Sequence, residues 1–275
     1  YFYTTHSELN AILNYRGGGT LEGCKIVNNF CADKAANAYY NGALIRLSTG
    51  KVKDCLIANN RCEFYVLDGK GYSMLGRYSD TSGGAYSSSY TNCVIASNVV
   101  AATSIGMTSG SYAISVMGSG STARNFTDKI NNCVLDGNIV SNVVVEGVTP
   151  TLCRGVLGFR LGATQTMTVY NCTFAGPDVP GVYDFATYGD ASTTAKSYVY
   201  NSVFMRDGDG ADTDAIHVSQ ANSIVLKDCT IKNMLSDFYP SDVDVTDGLY
   251  YDEIPFERVP FLLNDENTGY RWLRP

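Results

Sequence analysis

The chain has 275 residues, 45% apolar and only 17% charged, with a net charge of −7. That length and apolar share suit one large domain or two small ones with a substantial core. The acidic balance and the lack of any Lys/Arg-rich run argue against nucleic acid as a partner, which calls for a basic stripe. No apolar run reaches the roughly 20 residues a membrane-spanning helix needs. An acidic surface also gains nothing from anionic lipid.

In chain order, one short phrase keeps returning: Cys24-Lys-Ile-Val-Asn-Asn29, Cys55-Leu-Ile-Ala-Asn-Asn60, Cys93-Val-Ile-Ala-Ser-Asn98, Cys133-Val-Leu-Asp-Gly-Asn138, Cys172-Thr-Phe-Ala-Gly, Ser202-Val-Phe-Met and Cys229-Thr-Ile-Lys-Asn. The heads are 31, 38, 40, 39, 30 and 27 residues apart, an internal repeat with variable insertions. The head and the residue two later form an apolar pair, the period of a strand with one buried face. Three residues before each head stands another apolar or aromatic residue: Leu21, Val52, Tyr90, Ile130, Val169, Val199 and Leu226. Between the two sits Gly23, Asp54, Asn92, Asn132, Asn171, Asn201 or Asp228, residue types suited to a tight bend. A second strand precedes each later head: Ala43–Leu47, Ser73–Arg77, Ala113–Met117, Gly155–Phe159, Tyr183–Thr187 and Ala215–Ser219.

One such unit cannot bury its own apolar face, but stacked units can, at about 4.8 Å per step. A helical solenoid is excluded by the period of two, and a leucine-rich repeat by the absent Leu spacing. The expected fold is all-β: a single right-handed parallel β-helix of about seven coils over residues 1–235, closed by a C-terminal capping segment over 236–275. Stacking predicts an asparagine ladder from Asn29, Asn60, Asn98 and Asn138, each five residues after its head. It also predicts a column of reduced core thiols, since free Cys behaves as a small buried hydrophobe. Cys31 and Cys62, each seven residues after a head, fall close enough for either two thiols or a disulfide. The chain opens on Tyr1 rather than Met and closes on Pro275, which reads as a piece of a longer precursor.

The phrases Ile26-Val-Asn-Asn29, Ile57-Ala-Asn-Asn60 and Ile95-Ala-Ser-Asn98 resemble the F/I-x-x-N motif of polymorphic-outer-membrane-protein-type adhesins, and Gly42-Ala-Leu-Ile45 is similar to their G-G-A-I motif. The resemblance covers roughly residues 11–235. The tail from Phe261 to Pro275 resembles the closing segment of bacterial β-helix surface proteins. It implies an extracellular or outer-surface location, with a polysaccharide or cell-surface partner and an adhesive, structural or glycan-related role.

Several residues could carry chemistry. Arg46, Arg77, Arg160, Asp184 and His217 lie on the second-strand copies, where an arginine row could neutralise uronate carboxylates for a lyase. Such an enzyme also needs a base, and no position is singled out for it. Thr213-Asp214-Ala-Ile216 resembles the N-T-D-G strand of polygalacturonases, but the Asp pair those enzymes carry one coil later is missing. The pair of carboxylates that defines a glycosidase cannot be assembled. Asp207, Asp209, Asp212 and Asp214 are hard oxygen ligands among glycines, the donor set of a Ca²⁺ loop or of a solvated acidic one. Tyr72, Tyr78, Tyr86 and Tyr112 cluster in the early insertions, where they either stack on sugar faces or pack the insertions down. The expectation is a non-catalytic binding or structural β-helix. The alternative is a polysaccharide-active enzyme, lyase before hydrolase.

Overall fold

A computed structural model describes residues 2–4, 12–15, 18–33, 41–47, 49–64, 71–77, 86–102, 112–119, 126–142, 152–161, 166–176, 182–189, 195–205, 215–218, 223–231, 243–246 and 249–250. Every strand pairing among them is parallel, and the fold is an all-β parallel solenoid with four walls. No helix among the described residues is long and apolar enough to cross a membrane.

Each turn begins on a pre-head wall of eight strands, running from Thr20–Glu22 to Val243–Thr246. The chain bends onto a head wall of eight short strands, from Lys25–Val27 to Leu249–Tyr250. A tail wall follows: Phe2–Thr4, Phe30–Asp33, Arg61–Phe64, Val99–Ala102 and Ile139–Asn142. The turn closes on a long wall: Leu13–Tyr15, Asn41–Leu47, Gly71–Arg77, Tyr112–Ser119, Leu152–Leu161, Tyr183–Gly189 and Ile216–His217. The sequence repeat reveals two of these strands per turn; the structure shows four in the turns headed by Cys24, Cys55, Cys93 and Cys133, and three among the described residues in those headed by Cys172 and Ser202.

The bends explain why two walls read as one strand. Just before each head the backbone is left-handed: Gly23 at φ 65°, Asp54 at 53°, Asn92 at 54°, Asn132 at 52°, Asn171 at 53°, Asn201 at 45° and Asp228 at 55°. Apart from Gly, only Asn and Asp visit this region readily, because their short polar side chains bond locally. Here they also bond one another up the stack. Asn92 donates to Asp54 Oδ1 at 3.0 Å, Asn132 to Asn92 Oδ1 at 3.2 Å and Asn201 to Asn171 Oδ1 at 2.5 Å. A second left-handed bend, at Asn28, Asn59, Ser97 and Gly137, separates the head wall from the tail wall.

The expected asparagine ladder sits immediately after that second bend. The Nδ2 of Asn29, Asn60 and Asn98 donates to Oδ1 of Asn60, Asn98 and Asn138 at 2.9, 3.0 and 3.0 Å. The same oxygens accept the backbone N–H of Asn29, Asn60 and Asn98. Asn60, Asn98 and Asn138 also donate to the carbonyls of Ile26, Ile57 and Ile95 in the turn before. The ladder closes a corner whose polar groups no water reaches, since Asn98 and Asn138 are fully buried.

The head residues line the core at the first bend. Each buried thiol donates to a carbonyl two residues back, as Cys55 does to Lys53 O at 3.1 Å and Cys93 to Thr91 O at 3.2 Å. Ser202 makes the same bond to Tyr200 O at 2.8 Å, and its oxygen accepts the Cys172 N–H at 3.1 Å. A hydroxyl therefore substitutes for a thiol without breaking the column. The eight cysteines with described side chains are free thiols, Cys31 and Cys62 included. Those two are direct partners on adjacent tail strands. Burial pushes the Cys62 thiol up, and its hydrogen bond to Cys31 holds the latter down. Of the eight, Cys24 is the one that is not fully buried. Alkylation of the native protein followed by peptide mapping should therefore mark Cys24 ahead of Cys55, Cys93, Cys133, Cys172 and Cys229. Uniform labelling would show that the core column opens.

Candidate functional site

The walls differ in what they offer a ligand. On the head wall, the outward residues Leu56, Ala58, Val94 and Ala96 are buried in an apolar cluster of their own. The long wall is folded along a crease. Its register pairs Ser73 with Ser115, Ser115 with Gly155, and Gly155 with Tyr183 on one side of the fold. On the other side Arg46 pairs with Gly76, Gly118 with Gly158, Gly158 with Ala186, and Ala186 with His217. The two columns face each other across the crease with an offset of one turn. A Cβ on Gly118 would stand 2.7 Å from Ser73 Oγ, and one on Gly155 would stand 3.0 Å from the Ala186 Cβ. One turn further on, the rings of Tyr183 and His217 fill the same gap, stacked at 4.7 Å. At Gly118 and Gly155 the crease is too tight for a methyl group.

The register places the backbone of the expected arginines as follows. Arg46 is opposite Gly76, Arg77 is opposite Leu47, and Arg160 is opposite Tyr188, so the three fall in three different columns. Arg46 is 4% exposed. Asp184 is fully buried; it lies between Tyr183 and Phe185, the position that Val156 holds one turn earlier between Gly155 and Leu157. His217 is half-buried against Tyr183. For Tyr72, Tyr86 and Tyr112 the structure places the backbone opposite Ile114, Phe126 and Leu152. Tyr78 and the acidic run Asp207, Asp209, Asp212 and Asp214 lie outside the described residues. Among the described residues no three His, Cys, Asp or Glu side chains converge on a possible metal position.

The pre-head wall is the open one. Its inward residues Val169 and Val199 are buried in the core, so their neighbours face out. Tyr170 pairs with Tyr200, and Thr168 with Tyr198. Tyr170 is 45% exposed, and the Tyr198 and Tyr200 rings lie nearly parallel at 6.2 Å. Three phenol rings thus occupy two adjacent turns of a flat sheet, with Thr168 and Asn131 beside them. Tyrosine density in the sequence points instead to the longer insertions of the early turns. The signal that finds these residues is the period of two, counted outward from Val169 and Val199.

A buried carboxylate lies near the corner between the long and pre-head walls. A narrow cleft there is lined by Leu75, Gly76, Ser88, Tyr90, Gly118 and Asp128 among others. Asp128 is 5% exposed, and its Oδ1 accepts the Ser88 hydroxyl at 2.7 Å and the Ser88 N–H at 3.3 Å. No family model matches the chain, and neither does any curated protein or solved structure.

Proposed function

We propose that this chain is a non-catalytic solenoid that binds glycan on its pre-head wall, outside the cell or on its outer surface. The observation that carries the reading is the Tyr170, Tyr198 and Tyr200 group on the solvent side of that wall. Sugar rings present a C–H face that stacks on an aromatic plane, while the phenol hydroxyl serves the ring's hydroxyls. Rigid, in-register strands hold the three rings without loop ordering, which lowers the entropic cost of binding. The resemblance of Ile26-Val-Asn-Asn29 and its copies to bacterial β-helix adhesins supports the surface location.

The test is binding to an array of neutral and acidic glycans, repeated on Tyr198→Ala and Tyr170→Ala. Each substitution should weaken a bound glycan about tenfold, the size expected of an aromatic anchor, and leave the circular dichroism spectrum unchanged. An array with no bound glycan would end this reading.

The enzymatic reading draws on the cleft holding Asp128. It would gain if the protein released unsaturated product from a polyuronate and Asp128→Asn stopped the release.

A further inference from the structure

The chain carries seven more acidic than basic charges, yet the strands of the pre-head wall carry Lys51, Lys53, Lys129, Lys196 and Lys227 against Glu22 on the first strand, Asp244 on the last and the buried Asp128. Lys51 and Lys129 share one column, each opposite Ser89, and that column continues through Thr168 to Tyr198. The next column runs Lys53, Thr91, Asn131, Tyr170, Tyr200 and Lys227. Lys196 stands at the start of the Tyr198 strand. Of these lysines Lys53 alone is in an ion pair among the described residues, with Glu22 and Asp54 at its edge of the wall. Lys51, Lys129 and Lys227 are exposed and Lys196 half-buried. From Lys51 to Lys227 is five steps, about 24 Å along the axis, whereas each strand of this wall is at most six residues across. The charge is therefore strung along the solenoid rather than gathered at a point, and the tyrosines lie within the same line.

We propose that the ligand is a linear uronic-acid polysaccharide laid along the solenoid axis, its carboxylates meeting Lys51, Lys129, Lys196 and Lys227 and its ring faces meeting Tyr170, Tyr198 and Tyr200. This rests on the glycan reading above and adds its charge and direction. A face that is positive on an acidic protein attracts a polyanion locally, and the attraction falls as salt screens it. A neutral glycan would use the rings and ignore the lysines.

The experiment compares alginate, alginate with its carboxyl groups reduced, and single-stranded DNA, each titrated at low and high salt. The expected result is that alginate binds best and weakens as salt rises. Lys129→Gln and Lys227→Gln should each cost about fivefold at low salt, the upper range for one exposed charge, and more than tenfold together. Arg61→Gln, on the tail wall, should cost nothing. If carboxyl reduction and the lysine substitutions change nothing while Tyr170→Ala still weakens binding, the polyanion is wrong and the glycan reading survives. If DNA binds more tightly than alginate, the occupant is not a polysaccharide and this proposal is overturned. If none of the three binds, the polyuronate proposal is overturned, and the glycan array alone decides the glycan reading.

Discussion

Replacing Asn98 by alanine is expected to destabilise the protein by about 4 kcal/mol. Asn98 is fully buried, and its one side chain serves both neighbouring turns. Its Nδ2 donates to Ile57 O at 2.9 Å and to Asn138 Oδ1 at 3.0 Å, while its Oδ1 accepts both the N–H and the Nδ2 of Asn60 at 3.0 Å. Alanine strips the Asn60 N–H of its acceptor and removes the donor from Ile57 O, and a buried group left unsatisfied costs about 1–3 kcal/mol. Aspartate should do no better: it keeps the acceptor but loses both donations and buries a charge. Urea unfolding measures the loss, with amide exchange at Asn60 reporting whether it is local, as a solenoid of nearest-neighbour turns permits. A change below about 1 kcal/mol would mean that water replaces the side chain and the ladder is ornamental.

Gly118→Ala should cost about 2–3 kcal/mol by overpacking, and the loss should largely return when Ser73→Gly is added. The new Cβ would lie 2.7 Å from Ser73 Oγ and 2.8 Å from Ser73 Cβ. Gly118 is not among the positive-φ residues, so the conflict is one of space and not of backbone conformation. Ser73→Ala would leave the Cβ clash in place; glycine removes it. Ser73 Oγ has no hydrogen-bond partner among the described residues, so losing the hydroxyl sacrifices no bond. A coupling energy near 2 kcal/mol in the double-mutant cycle is expected. A cycle that closes at zero would show that the crease opens freely.

Much of this fold is written locally. The period of two around Cys24 and its copies, and the Gly, Asp or Asn before each, specify a strand, its buried face and a left-handed corner within a few residues. The asparagine ladder follows from one further count of five. The crease does not follow, because Ser73 pairs with Ser115 in register but touches Gly118, a contact set by how sharply the long wall bends. Arg46, Arg77 and Arg160 look equivalent in the sequence because all three are charged and near strand ends. Only the register separates them, helped by an irregularity in which Asn41 to Ile45 spans what Ser73 to Leu75 spans next door. The tyrosine face lay in the pattern, since Tyr198 and Tyr200 flank Val199. Tyrosine density alone points instead to the early insertions.

The head phrases are 27 to 40 residues apart, yet the head wall stays in register from turn to turn. The strands that follow one another leave this surplus between walls: between tail and long strands in the early turns, between head and long strands in the turns headed by Cys172 and Ser202, and between long and pre-head strands. The stacked walls behave as a rail whose strands repeat at a pitch of about 4.8 Å whatever length the connections take. A peptide of foreign sequence grafted into one of these connections would leave the ladder, the thiol column and the tyrosine face running on unchanged.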